Sequence, residues 1–309
     1  MLRFLLFRLL QFPLIIAIIY LITFALVWII PGSPFERTDR RLDPKTLETR
    51  KALLHAESWQ SFLAHYPRMI LLHGDFGPSL GDSPFDVNAR LKRGLPVSMT
   101  LGVCALMIAI IVGTVVGVTA AVRRGGALEW ISLSIALIGI SVPTFISAAV
   151  LLIVFGVTLK WVTIGSWGRP LDYLLPAIAL SLLPMAYIAR LTRVAMLDVL
   201  SADFIRTARA KGVSRTRTIW KHALKNAILP VLSYLGPAAA AALTGSFVVE
   251  KVFNIPGLGE DFINSVLNRD STLILGTVIV YSSLLLAMNL VVDVLYTVVD
   301  PRIDLQGAA

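Results

Sequence analysis

The residues whose types and spacing suggest interaction chemistry lie in one basic segment, Ser201–Pro230. Ser201 is placed to cap a short helix that carries Asp203 in its first turn, near the positive end of the helix dipole. Gly212 stands where a left-handed residue ends such a helix, and Ser214 is placed to cap a second one. The pattern predicts a rigid helix–glycine–helix elbow that another protein can grip. An ordinary basic loop that only fixes membrane topology is the alternative.

The two helices of this elbow have different faces. The first carries Arg209 and Lys211 in its last turn. In the second, Arg217, Lys221 and Lys225 recur at i, i+4 and i+8 and predict one charged face. Another face is predicted to be an apolar stripe at helical spacing, formed by Ile219, Trp220, Ala223, Leu224, Ala227 and Ile228.

Catalytic chemistry has no comparable signature. The chain contains no glycine-rich phosphate loop of the nucleotide-hydrolase type and no convincing nucleophile–base pair. His55, His65 and His73 are scattered at long intervals and His222 lies far away, so the spacing does not predict a metal site. The single Cys104 excludes an internal disulfide. We expect no catalysis, no cofactor and no metal in this chain.

The composition is that of a membrane protein, because 56% of the residues are apolar and only 15% are charged. A membrane-crossing helix needs about 20 apolar residues, and six stretches are predicted to span: 9–30, 97–122, 130–157, 173–193, 228–249 and 273–298. The third is interrupted by Pro143, and the ends of the fourth are placed among Asp172, Arg190 and Arg193. The net charge of +9 does not indicate nucleic-acid binding, because most of the excess of basic over acidic residues lies in loops predicted to face the cytoplasm.

Lysine and arginine placement sets the predicted orientation. Between Arg190 and Lys225 there are nine basic residues and two acids, so the segment 201–225 and both termini are predicted to be cytoplasmic. The loop 31–96 is then external, and helical spacing around Trp59 to Ile70 predicts that it is partly folded, with a helix start at Asp43-Pro44 and a kink at Pro67. It either caps the helix bundle or receives a soluble partner. The whole chain, 1–309, is predicted to be one all-α transmembrane domain.

A polar stripe runs along the last predicted span. Asn289, Asp293, Tyr296 and Asp300 recur at i, i+4, i+7 and i+11 and therefore share one helix face. The stripe is predicted to be a hydrogen-bonded helix anchor, with a direct role in gating as the alternative. Small residues form the other pattern: Gly113 and Gly117 make a GxxxG motif that predicts close helix packing.

Several short motifs, taken together, resemble one family. They are Pro31-Gly32-Ser33-Pro34-Phe35, His73-Gly74-Asp75-Phe76-Gly77-Pro78-Ser79, Phe204-Ile205-Arg206-Thr207-Ala208-Arg209-Ala210-Lys211-Gly212, His222-Ala223-Leu224, Leu229-Pro230-Val231-Leu232-Ser233-Tyr234, Pro256-Gly257-Leu258-Gly259, Asn268-Arg269-Asp270 and Asp300-Pro301. Through them the chain resembles the membrane-spanning permease subunits of binding-protein-dependent ABC importers of the peptide class, above all the first permease of oligopeptide importers.

The resemblance implies partners and roles. A second homologous permease completes the pathway, two ATP-binding subunits hold ATP and magnesium, and an extracytoplasmic binding protein delivers a peptide, all at a bacterial cytoplasmic membrane and its lipid. The residues implied to dock the ATPase are Asp203, Phe204, Arg206, Thr207, Ala208, Arg209, Ala210, Lys211 and Gly212. The Glu-Ala-Ala of the wider family signature is Arg206-Thr207-Ala208 here, which removes its acid as a contact. The residues implied to form external contacts are His73, Gly74, Asp75, Pro256, Gly257 and Gly259.

Alternatives remain open for cargo and for class. Relatives with similar motifs carry dipeptides, nickel chelates, glutathione or oligosaccharides. A secondary transporter would need inverted repeats and midplane ionisable residues, and neither is evident. A membrane scaffold would not need the proline-broken spans and paired coupling helices.

Overall fold

The computed structural model describes residues 2–29, 48–49, 52–56, 58–79 and 86–299. Within these ranges every regular element is helical, apart from one isolated bridge between Pro78 and Asp86, so the predicted all-α class is confirmed. The helices are α1 (Leu2–Ile29), α2 (Trp59–His73), α3 (Val87–Val122), α4 (Ala127–Ser141), α5 (Thr144–Leu151), α6 (Pro170–Ser201), α7 (Asp203–Ala210), α8 (Arg215–Arg217), α9 (Leu224–Ala227), α10 (Leu229–Phe253), α11 (Leu258–Leu267) and α12 (Ser271–Val299). Two π-helical segments follow α5 and α8, at Leu152–Thr158 and Thr218–Ala223.

Among the described residues, four helices are long and apolar enough to cross a membrane, and they make the chain a multi-pass membrane protein. They lie at Phe7–Ile29, Val87–Val122, Pro170–Ser201 and Ser271–Val294. Shorter apolar helices at Thr144–Thr158 and Leu229–Ala240 fall on the third and fifth predicted spans. The six-span count and the cytoplasmic placement of both termini stay predictions.

The third predicted span breaks where its proline predicts. Helix α4 ends at Ser141, Val142 is extended, and Pro143 forms the N-cap of α5. The residue before a proline is disfavoured in the helical region by a steric clash, which explains the stop. Other prolines do not break helices: Pro67 lies inside the continuous α2 and Pro96 inside α3. The helix of the second span therefore begins at Val87, ten residues before the predicted position 97.

The helix that contains the fourth predicted span is also longer than that span. Helix α6 has 32 residues and continues past Arg193 to Ser201, whereas the sequence placed the end of this span near Arg190 and Arg193. Pro176 and Pro184 lie inside it, and prolines are tolerated in membrane helices where neighbouring groups satisfy the freed carbonyls. Asp172 closes its first turn by accepting the backbone N–H of Arg169 at 3.0 Å.

The chain divides into two compact units, one of residues 1–99 with 255–286 and one of residues 100–254 with 287–309. In the first unit, aromatic rings of α1 and α2 form the core. Tyr20 stacks on Tyr66 at 6.3 Å between ring centroids, and Phe24 stacks on Phe62 at 6.0 Å. The part of the predicted external loop carried by α2 is therefore folded, as its pattern predicts. The predicted helix start at Asp43-Pro44 lies outside the described residues.

In the second unit, helix α6 packs closely against α3. A Cβ added at Gly117 would lie 2.5 Å from the carbonyl oxygen of Ala189, and one added at Gly113 would lie 2.8 Å from that of Met185. Only glycine permits this approach, so the predicted GxxxG packing is confirmed. Helix α10 also packs against α6, with Val231 buried beside Ile188 in one apolar cluster.

Candidate functional site

The first arm of the elbow is helix α7. Asp203 lies in its first turn and Arg209 in its last, as the dipole argument predicts. The helix ends at Ala210, and Gly212, two residues further on, has a left-handed φ of 77°. The backbone N–H of Val213 donates to the carbonyl of Ala208 at 3.2 Å and closes the turn. The predicted glycine stop is confirmed.

The predicted cap of α7 is wrong. Ser201 is the last residue of α6, and its hydroxyl donates back to the carbonyl of Asp198 at 2.7 Å. Ala202 therefore occupies the N-cap position, with no side chain able to cap. The reason is the extra length of α6, which was not apparent from the limits of its uncharged stretch.

One residue of the first arm is buried and most of the others are exposed. Ile205 is fully buried and Ala208 is half-buried. Phe204 is 45% exposed. The remaining residues implied in docking are all exposed: Asp203, Arg206, Thr207, Arg209, Ala210, Lys211 and Gly212. The arm thus presents one continuous outward surface with an aromatic ring in it.

The second arm, residues 215–227, differs from the regular helix that its pattern predicts. Ser214 takes the N-cap position but makes no side-chain capping bond. A π-helical segment follows, and Thr218 is buried in it with its hydroxyl donating to the carbonyl of Ser214 at 3.0 Å. Because a π-helix bonds i to i+5, the buried face shifts, and Trp220 is 45% exposed instead of joining the predicted apolar stripe.

Both arms are anchored on one apolar cluster. Ile205 of the first arm and Ile219 and Ala223 of the second pack together with Val118 and Ala121 of α3. Met196 of α6, fully buried, completes the cluster. The elbow is therefore held on the adjoining ends of two long helices, and a force on its exposed surface is transmitted to them through packed side chains.

An ion pair between α4 and α6 has no counterpart among the predicted site residues. Nε of Arg193 in α6 donates to Oε1 of Glu129 in α4 at 2.9 Å, and a second guanidinium nitrogen donates to the same oxygen. The backbone N–H of Gly125 donates to the other carboxylate oxygen. This backbone bond and then Arg193 lower the pKa of Glu129. The sequence feature that could have indicated this pair is Glu129 itself, an isolated acid shortly after Arg123 and Arg124.

The polar stripe of the last span is partly described. Gly236 of α10 lies so close to Asn289 that an added Cβ would be 3.1 Å from its Oδ1. Asp293 is half-buried, and the side chain of Tyr296 lies outside the described part. The close approach of α10 to Asn289 favours the anchor role over the gate, and both stay predictions.

The motif at residues 73–79 forms a turn in the first unit, as predicted. Gly74 and Gly77 have φ of 63° and 76°. Oδ1 of Asp75 accepts the backbone N–H of Gly77 at 2.9 Å. The Asn88 side chain donates to the Gly74 carbonyl at 3.1 Å and accepts from the N–H of Phe76 at 2.9 Å. His73 and Gly74 are exposed, whereas Asp75 holds the turn together.

Asp270 joins two of the motifs, and sequence reasoning assigned it no such role. Its carboxylate accepts hydrogen bonds from the hydroxyl of Ser79, from the hydroxyl of Thr272 at 3.0 Å and from the N–H of Leu273 at 3.1 Å. Tyr66 adds bonds from its hydroxyl to the carbonyls of Thr272 and Phe76, both at 3.1 Å. Burial raises the pKa of Tyr66, so the phenol stays a donor. This network holds the 73–79 turn against the start of α12.

The second motif predicted to be external, Pro256-Gly257-Leu258-Gly259, is mostly buried within the first unit. Gly257 and Gly259 are buried, while Pro256 is exposed. The N–H of Leu258 donates to the hydroxyl of Ser98 at 2.9 Å. The short helix that follows, α11, buries Leu258 and Ser265 and leaves Leu267 73% exposed.

An ion pair fixes the same helix. Asp261 of α11 accepts from Arg90 of α3 at 2.9 Å. Burial raises the pKa of Asp261, and Arg90 opposes that shift.

Two histidines that looked scattered are neighbours. The rings of His55 and His65 have centroids 4.1 Å apart. Among the described residues, no group of three or more metal-ligating side chains is present.

Comparisons with known proteins agree with this architecture. The chain is 46% identical over 292 residues to the dipeptide transport system permease protein DppB of Bacillus subtilis strain 168, covering 94% of each. It is 41% identical over 307 residues to the oligopeptide transport system permease protein OppB of Salmonella typhimurium, covering 98% of this chain and 99% of the relative. A solved structure of the MetNI methionine ABC transporter matches with a TM-score of 0.58 at 20% identity, over 68% of this chain and 96% of that chain, which supports the fold alone.

The family match covers most of the second unit and the last helix. Residues 113–305, well over half of the chain, match the family described as the binding-protein-dependent transport system inner membrane component. The matched region contains both arms of the elbow, the cluster that anchors them and the Glu129–Arg193 pair. The chain belongs to this family, and it is a membrane-spanning permease subunit and not a catalytic one.

Proposed function

We propose that this chain forms half of the translocation pathway of an ATP-driven importer for short peptides. The observation that carries the proposal is the first arm of the elbow, which is anchored by Ile205 and otherwise turned outward with Phe204 exposed. A short rigid helix of this kind can fill a groove on a soluble subunit and pass its movement to the long helices beneath.

The assembly that completes the function has three kinds of partner. A second homologous permease supplies the other half of the pathway. Two ATP-binding subunits carry ATP and magnesium and contact the first arm. An extracytoplasmic binding protein delivers the peptide. The complex lies in a bacterial cytoplasmic membrane, which the bacterial sources of the relatives support.

The cargo proposal rests on the relatives. Two curated proteins that this chain matches along nearly its whole length are named as dipeptide and oligopeptide permeases. On the external side, we propose that His73, Gly74 and Pro256 contact the binding protein, because these residues are exposed. Asp75, Gly257 and Gly259 support that surface from within, through the turn and the packing that they form.

The docking role is tested with Phe204→Ala. The tagged chain is purified in mild detergent together with its partners, and the affinity for the ATP-binding subunit is measured by titration. Loss of a central aromatic anchor costs about 2 kcal/mol, so we expect roughly thirtyfold weaker binding. Trp130→Ala is the matched control, because Trp130 is an exposed aromatic residue (70%) outside the elbow.

Two results decide the proposal. Weaker binding by Phe204→Ala with unchanged binding by Trp130→Ala, together with ATP-dependent peptide uptake by the parent complex in vesicles, supports it. Equal binding by both variants overturns the assignment of the first arm. Uptake by the parent chain alone, without ATP, overturns the importer function and favours secondary transport.

A further inference from the structure

We propose that the second arm of the elbow is a binding surface for anionic phospholipid headgroups, separate from the first arm that contacts the ATPase. Four basic residues on this arm are exposed: Arg215, Arg217, Lys221 and Lys225. They lie on the side away from the anchoring cluster, in which Ile219 is packed. The proposal does not depend on the docking role of the first arm.

The charge on this arm is not compensated. From Phe204 to Val249 the sequence contains no aspartate or glutamate. Within the described part of the chain, no carboxylate lies in ion-pair distance of any of the four cations. The first arm differs, since Arg206 there pairs with Asp203 at 3.4 Å. The second arm therefore presents positive charge that an anionic surface can neutralise.

The position of the arm favours lipid over a protein partner. Lys225 lies four residues before Leu229, where the apolar helix α10 begins. At 1.5 Å per residue this is a distance of about 6 Å along a helix. Clusters of lysine and arginine directly beside the cytoplasmic end of a membrane helix are the usual binding sites for anionic headgroups.

Trp220 is the second independent observation. The π-helical segment turns this side chain outward, to 45% exposure, between Arg217 and Lys221. Tryptophan prefers the interface between headgroups and hydrocarbon, because its ring is apolar and its N–H needs a polar partner. A tryptophan flanked by these cations fits an anionic leaflet, with the cations at the charged headgroups and the ring at the boundary with the hydrocarbon region. In a regular helix the predicted stripe would have buried it.

The test uses the purified complex in nanodiscs and reads the fluorescence of Trp220 as the difference between the parent and Trp220→Phe. Brominated phosphatidylglycerol and brominated phosphatidylcholine at equal mole fraction serve as quenchers. We expect stronger quenching by phosphatidylglycerol. Each cation is worth about 1 kcal/mol at an anionic surface, so Lys221→Gln should weaken this preference roughly fivefold and Lys225→Gln similarly.

Arg209→Gln is the matched control, since Arg209 is exposed on the first arm of the same elbow. It should leave the preference for phosphatidylglycerol unchanged. Equal quenching by both lipids overturns the proposal. Quenching by neither lipid, with Trp220 fluorescence in the complex shifted from that of the permeases purified without the ATP-binding subunit, also overturns it and assigns the second arm to protein contact. These outcomes are independent of the Phe204→Ala result, so the two proposals fail separately.

Discussion

Replacing Gly117 by alanine should force α3 and α6 apart. An added Cβ would lie 2.5 Å from the carbonyl oxygen of Ala189 and 2.6 Å from Cβ of Thr192. Favourable contacts between such atoms lie near 3.5–4.0 Å, so the helices would have to separate by about 1 Å. Neither obstacle is the movable end of a side chain, because one is backbone and the other is a Cβ attached directly to it.

The cost follows from this geometry. Overpacking a well-packed contact typically costs 1–3 kcal/mol, and the absence of a yielding group places Gly117→Ala at the upper end, about 3 kcal/mol. Gly113→Ala meets the Met185 carbonyl at 2.8 Å and should cost less. Gly139→Ala on α4 meets the Leu182 carbonyl at 3.1 Å and should cost least.

The measurement is thermal stability of the purified chain in one detergent, followed by size-exclusion chromatography after heating. We expect the midpoint to fall in the order Gly117→Ala, Gly113→Ala, Gly139→Ala, with the largest fall first. Because all three are the same chemical change in membrane helices, differences in helix propensity do not account for a graded order. A Gly117→Ala variant as stable as the parent, or the reverse order, would refute close backbone packing as the determinant of this interface.

Three further predictions concern individual contacts. Glu129→Gln should lower thermal stability, because Arg193 keeps its charge and loses the carboxylate with which it pairs. The double variant Glu129→Arg with Arg193→Glu should recover part of the lost stability. No recovery would mean that the ion pair itself contributes little to stability. Asp270→Ala should lower the free energy of unfolding by about 3 kcal/mol, because a helix cap is lost and buried donors are left without an acceptor. Faster hydrogen exchange at the start of α12 would report this loss. Asp270→Asn should lower the free energy of unfolding by less. At Gly212 no atom lies within 4 Å of an added Cβ, but φ is 77°, so Gly212→Ala and Gly212→Trp should impose a similar backbone strain of about 1 kcal/mol. Only Gly212→Trp should weaken binding of the ATP-binding subunit. Equal binding by both variants would remove Gly212 from the docking surface.

Much of the fold follows from local sequence patterns. Long apolar runs predict membrane helices because the bilayer sets their minimum length, and the break at Pro143 follows from the backbone restriction that proline imposes. The glycine stop at Gly212 follows in the same way from the left-handed conformation that ends a helix. These features depend on residues within a few positions of one another, so the sequence alone is sufficient.

The limits of the elbow could not be predicted in this way. Ser201 has the side chain of a helix cap, yet it ends α6, because the packing of Met196 and its neighbours extends that helix beyond its uncharged stretch. Trp220 has an apolar side chain at helical spacing, yet it is exposed, because the π-helical segment adds a residue to the turn. Local propensity does not determine either outcome, since each depends on which neighbouring surface the segment packs against.

The all-α membrane class, the position of the elbow and, through motif resemblance, the transporter family follow from the sequence alone. Which residues of the elbow face outward follows only from the packing of the helices. The same packing pairs Glu129 with Arg193 and Asp270 with Ser79, partners separated by 64 and 191 residues along the chain. The physical reason is that helix formation and membrane insertion depend on short-range periodicity and apolar length. Burial and hydrogen-bond partners depend instead on how distant helices pack, and for Gly117 that packing depends on contacts closer than any side chain would permit.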